Sequence, residues 1–122
     1  MAQGYTFSLE HLLCCSGNTT ADLLYMEWFA DEMVKQALAA RQQLASLGNL
    51  VGWQSGDPVA RAQSARAYLV ALHDTADYVL EFYRNQSEVV ALFQPAKDDI
   101  AGHIDWVKFH CNKVFEWIAT PL

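Results

Sequence analysis

Carboxylate–imidazole pairs are the residues of this 122-residue chain best suited to chemistry. Asp99 and His103 are four apart, and His110 lies two turns beyond. His73 and Asp77 repeat the four-residue spacing. On a helix, residues four apart share a face, so two such pairs facing each other could hold a metal ion. The carboxylate-bridged di-iron pattern, however, needs Glu-x-x-His pairs and further inward glutamates. Neither His103 nor His110 follows a Glu at that spacing, and Glu27 is followed three residues later by Ala30. The reading is therefore no metal and no cofactor, with His73, Asp77, Asp99, His103 and His110 as the alternative ligand set. Cys14 and Cys15 lie close to His11, yet nothing completes a nucleophilic triad. Gly48, Gly52 and Gly56 are evenly spaced, but no Lys follows and no strand precedes, so they make a turn and not a phosphate loop. A non-enzyme is expected.

The elements that would carry these residues are helices. Ala62, Ala65, Leu69, Leu72, Ala76, Val79, Tyr83, Gln86, Val90 and Phe93 recur in steps of three and four, the seam of a coiled coil or bundle. Leu23, Met26, Ala30, Met33, Ala37, Ala40, Leu44 and Leu47 form a second seam, and Ile100, Ile104, Val107, Cys111, Val114 and Ile118 a third. Thr19 with Asp22 resembles a capping box ahead of a helix over about 20–47, and Gly48 is a natural stop. Asp57-Pro58 is a strong start signal for a third helix predicted to run to about Phe93, where Pro95 cuts it. Asn85-Gln86-Ser87 is its weakest point. The fourth helix is predicted to begin near Pro95, either as a tight hairpin with the third or as one kinked rod. Residues 5–15 read as a short helix whose Phe7, Leu9, Leu12 and Leu13 cover the bundle. The fold class expected is all-α: an antiparallel bundle of three long helices plus a short N-terminal helix, in one domain over residues 1–122.

Charge and composition narrow the partners. The formal net charge is −6, and the eight Lys and Arg residues are scattered. Nucleic-acid binding, which needs a clustered basic surface, is not expected. No run approaches 18 uninterrupted apolar residues, so no transmembrane segment is predicted. MAQGYTFSLEHLLCCSG lacks a basic start and a long apolar stretch, which argues against a signal peptide. The odd count of three cysteines, two of them adjacent, points to reduced thiols in a cytoplasm. Apolar residues make up 52% and charged residues 18% of the chain. A typical domain has about 25% charged residues, and self-association would cover the surplus apolar surface.

Two helices carry a second stripe. On the third it is Tyr68, Ala71, Thr75, Tyr78, Phe82, Val89 and Leu92. On the fourth it is Asp99, His103, Trp106, His110, Lys113 and Trp117. Two seams on one helix mean neighbours on both sides or an exposed flank. The first possibility is a four-helix core. The second is an interface, for which Tyr68, Tyr78, Phe82, Trp106 and Trp117 are the candidates, with Trp53 at a loop tip as a further anchor.

Residues 27–94 show an amphipathic helix rich in Ala, Gln and Leu (EWFADEMVKQALAARQQLASLGNL), a turn entered through Gly-Asp-Pro, and a longer helix (DPVARAQSARAYLVALHDTADYVLEFYRNQSEVVALF). This order resembles the phasin family, which coats polyhydroxyalkanoate storage granules. The resemblance implies a small, cytoplasmic, non-catalytic helical protein that self-associates and lays amphipathic helices on a hydrophobic surface. The alternatives are the His/Asp ligand-binding bundle and a structural subunit of a homo-oligomer or larger complex.

Overall fold

The computed structural model describes residues 5–48 and 57–110. Four helices occupy them: α1 (Leu9–Leu13), α2 (Thr20–Gly48), α3 (Asp57–Phe82) and α4 (Ser87–His110). There is no strand among the described residues, and α2, α3 and α4 pack against one another pairwise. The all-α bundle with a short N-terminal helix is therefore the observed architecture. The candidate anchors Trp53 and Trp117 lie outside the described residues, as do Cys111, Val114 and Ile118 of the third seam.

Cross-helix pairings give the helix directions. Phe29 meets Leu72, and further along α2 Gln43 lines a groove with Ser64, so α2 and α3 are antiparallel. Lys97 reaches Asp77 while Ile104 lies by Val70, so α3 and α4 are antiparallel too. Glu27 shares a groove with Leu92 and Arg41 touches His103, so α2 and α4 run parallel.

The seams meet in one apolar cluster. Met26, Ala30, Met33, Ala37, Ala40 and Leu44 of α2 are buried against Ala62, Ala65, Leu69, Leu72, Ala76 and Val79 of α3. Alanine on both facing seams lets the axes approach closely. The larger Phe29, Tyr83 and Phe93 are buried in the same cluster, where the Phe29 and Phe93 rings stand 6.2 Å apart.

The third helix is shorter than its seam suggests. It stops at Phe82, residues 83–86 form the turn, and α4 begins at Ser87 with Pro95 inside it. The expected run to Phe93 and the expected start near Pro95 are both corrected. The Tyr83 amide still donates to the Val79 carbonyl at 2.9 Å, and the Gln86 amide then donates to Tyr83 at 2.9 Å. The Gln86 carbonyl next accepts from Val89 and Val90, at 3.1 and 3.0 Å, opening α4. The register resets there, so Val89 is fully buried and Val90 only partly. Pro95 is tolerated because it is exposed, and so is Ala91, whose carbonyl loses its helical donor and is left to water.

The N-terminal segment is a strap more than a helix. Only Leu9–Leu13 is helical, yet Leu12 is buried and Phe7, Leu9 and Leu13 pack on the core. Tyr83 Oη reaches the carbonyls of Leu12 and Cys15, at 3.1 and 2.6 Å, and Tyr25 Oη donates to the Thr6 carbonyl. Burial, the leading cause, pushes the Tyr83 phenol up to about 12, so it stays a neutral donor. Gly17 closes the strap in a left-handed conformation (φ 79°), which a residue without Cβ adopts without strain. The predicted cap is present in extended form. Thr19 Oγ1 accepts from the Asp22 amide at 3.0 Å, while Asp22 Oδ2 takes the amides of Ser16 and Gly17 and the Ser16 hydroxyl.

Candidate binding surface

α3 presents three faces. The Leu69/Leu72/Ala76 seam is buried, Asp77 and His73 face α4, and the opposite flank carries Tyr68, Ala71, Thr75, Tyr78 and Phe82. That flank is the second stripe expected on the third helix. Tyr68 is 41% exposed, Tyr78 50% and Phe82 51%, so the described residues do not cover them. Val89 and Leu92, expected on the same stripe, belong to α4 and are buried and half-buried.

The flank has local structure. Tyr78 and Phe82 rings are 6.3 Å apart, and Phe82 stands edge-on to buried Tyr83 at 4.8 Å. Both rings are thereby braced on the core. Tyr68 lies between two grooves along the α2–α3 edge. Toward the strap is a cavity of about 130 Å³ lined by Phe7, Leu9, Phe29 and Thr75. Beyond the strap the groove opens to about 360 Å³ between Gln36, Ala39 and Gln43 of α2 and Ser64 and Ala65 of α3. Burial, followed by the nearby Glu32 charge, raises the Tyr68 phenol above its ordinary value. Asp74, Asp77 and Glu81 border Tyr78 with carboxylates.

The five alternative metal ligands do not converge. Asp77 Oδ1 accepts from Lys97 Nζ at 2.7 Å, which holds its carboxyl below the usual range. His73 Nδ1 is 4.0 Å from its neighbour Asp74. His103 Nε2 is 3.0 Å from Asp99, as the four-residue spacing suggests, but its Nδ1 faces Arg41 Nη1 at 3.1 Å. A guanidinium only donates, so Nδ1 accepts and the proton is on Nε2, toward Asp99. Both ring nitrogens are thus engaged. His110 Nδ1 donates to the Trp106 carbonyl at 2.9 Å. Among the described residues, no three His, Cys, Asp or Glu side chains gather as a metal site requires.

Trp106 is committed to the same clasp. The Arg41 guanidinium sits 4.2 Å from its ring centre, and His110 stacks on it at 4.3 Å and 20°. It is half-buried and less available as an anchor than the α3 aromatics. The thiols are no better placed for catalysis. Cys14 Sγ meets the Glu10 carbonyl at 3.4 Å. Burial, then the Asp22 charge, pushes the Cys15 thiol up, away from the thiolate a nucleophile needs.

Sequence reasoning passed over four exposed apolar residues: Tyr5, Leu24, Leu38 and Phe109. Leu24 and Leu38 are fourteen apart with Asp31 midway, two heptads along α2, and Leu24 lines the groove toward α4. Searching α2 for a second stripe would have found them. No helix among the described residues is long and apolar enough to cross a membrane. Compared with protein-family models, with curated proteins and with solved structures, the chain matches none.

Proposed function

We propose that this chain is a non-catalytic helical protein that binds an apolar surface or partner through the outer flank of α3, in the manner of the granule-coating phasins. The observation that carries the reading is the half-exposed row Tyr68, Tyr78 and Phe82 on a helix whose other faces are occupied. Three such rings leave roughly 250–300 Å² of surface to cover. At about 25 cal/mol/Å² that is ~7 kcal/mol gross. Association costs at least ~4 kcal/mol of this in lost freedom, so one flank binds weakly and several copies are needed for firm attachment. Self-association, as in phasins, therefore belongs to the same reading. Asp74, Asp77 and Glu81 beside Tyr78 favour a neutral polymer or protein over an anionic lipid surface.

Co-sedimentation with polyhydroxybutyrate particles tests this. The wild-type chain should pellet with the polymer well above a soluble helical control, and Tyr68→Ser/Tyr78→Ser/Phe82→Ser should lose most of that enrichment while keeping its far-UV CD spectrum. Equal pelleting of wild type and triple variant, or none of either, refutes the reading.

A further inference from the structure

Three packed helices enclose three grooves, and the chain itself crosses part of each. The strap lies along part of the α2–α3 groove, and the Lys97–Asp77 pair crosses the α3–α4 groove. The α2–α4 groove is closed only at its upper end, where Arg41 meets His103 and Trp106. Its lower end is a cavity of about 360 Å³ with an apolar floor of Leu23, Leu24, Ala91 and Leu92. Leu24 is 53% exposed there. Glu27 stands on the α2 wall and Glu88 on the α4 wall. Both are exposed, and neither has a hydrogen-bond or ion-pair partner among the described residues.

We propose that the open half of the α2–α4 groove docks a basic amphipathic helix of another protein. Its apolar side chains rest on Leu24 and Leu92, and its Lys or Arg side chains reach Glu27 on one wall and Glu88 on the other. An apolar trough between two parallel helices suits a third helix laid along it. The two carboxylates select the charge of that helix. A second copy docking groove to groove would be isologous and would bring both Glu27 and both Glu88 together without counter-charge. A purely apolar polymer would strip water from the two carboxylates and give nothing back. The site is separate from the α3 flank and does not depend on it.

The test uses the full chain and two synthetic helical peptides of about 18 residues. Both carry Leu at i, i+3, i+4 and i+7; one has Lys and the other Glu at the flanking positions. Binding is read by fluorescence anisotropy and located by NMR shifts. The Lys peptide should bind, should shift Leu24, Ala91 and Leu92, and should weaken about tenfold or more for Glu27→Lys/Glu88→Lys. It should also weaken for the uncharged change Leu24→Ser. Asp74→Lys/Asp105→Lys alters net charge equally on other faces and should leave affinity within about threefold. Thermal melts confirm that each variant is folded. Equal weakening by the two charge reversals, equal binding of the two peptides, or shifts confined to the α3 flank would overturn the proposal. A dimer of the free chain by light scattering, with Leu24 buried in it, would overturn it in favour of a second copy.

Discussion

Replacing one glycine by alanine should lower stability at position 17 and raise it at position 102. Gly17 has φ 79°, a region that costs an L-residue about 1–2 kcal/mol. A Cβ there would lie 2.9 Å from Val89 Cγ2 and still closer to Gln86 Oε1. The glutamine can swing aside, but the buried valine is held by the core, and overpacking of this kind costs about 1–3 kcal/mol. Reduced freedom of the unfolded chain returns about 0.4–1 kcal/mol. The net for Gly17→Ala is a loss of about 1–4.5 kcal/mol. Gly102 lies inside α4 with nothing within 4 Å of an added Cβ, so Gly102→Ala gains about 0.5–1 kcal/mol from helix propensity. Urea denaturation followed by far-UV CD gives both values. The midpoint should fall for the first and rise for the second, with the slope unchanged. A Gly17→Ala chain as stable as wild type would show that Gly17 does not lie left-handed against Val89.

Pro95→Ala should stabilise the chain by about 1–2 kcal/mol, less than the full ~3 kcal/mol propensity difference because the helix has already accommodated the ring. A neutral result in thermal melts would put Pro95 at a helix start. Tyr83→Phe should cost about 1–2 kcal/mol, since the Cys15 carbonyl loses its donor while Leu12 keeps the Cys15 amide; an unchanged melting temperature refutes the strap anchor. The Asp22 carboxyl is held below its ordinary value chiefly by the Ser16 hydroxyl. Its contribution is therefore fully present above its unfolded pKa of about 3.9 and is lost as pH falls through the lower folded value. The stability gap between wild type and Asp22→Asn should be constant from pH 5 to 7 and shrink below about pH 4; a gap independent of pH down to 2 contradicts this.

The sequence was most readable where burial repeats. Met26 to Leu44 and Ala62 to Val79 are buried as their three-four steps indicate, because a helix against two neighbours must be apolar on that period. The break near residue 85 was read as a weak point and not as the boundary. Gln86 occupied a seam position, and Pro95, the stronger stop signal, drew the boundary to itself. Proline inside a helix costs less where the carbonyl it orphans can turn to water, and that exposure was not visible in the pattern. The strap was half readable. Its apolar residues marked it as a cover, but a tyrosine hydroxyl reaching a carbonyl 71 residues away leaves no periodic trace. Likewise the aromatic flank of α3 was visible as a stripe, whereas its exposure depended on there being no fourth long helix to meet it among the described residues. The groove walls Glu27 and Glu88 come from helices not adjacent in the chain, so nothing in the local pattern paired them.

The anchoring of the strap also has a kinetic meaning. Closing a loop between Leu12 and Tyr83 before the bundle exists would cost entropy with almost nothing gained in return. The Leu12 carbonyl is therefore expected to find its hydroxyl only after α2, α3 and α4 have brought Tyr83 into place, with the strap docking last. What docks after the barrier acts on escape and not on entry. Loosening the strap should leave the refolding rate untouched and steepen the loss of the native state, making residues 5–15 a brake on unfolding for a bundle that assembles without them.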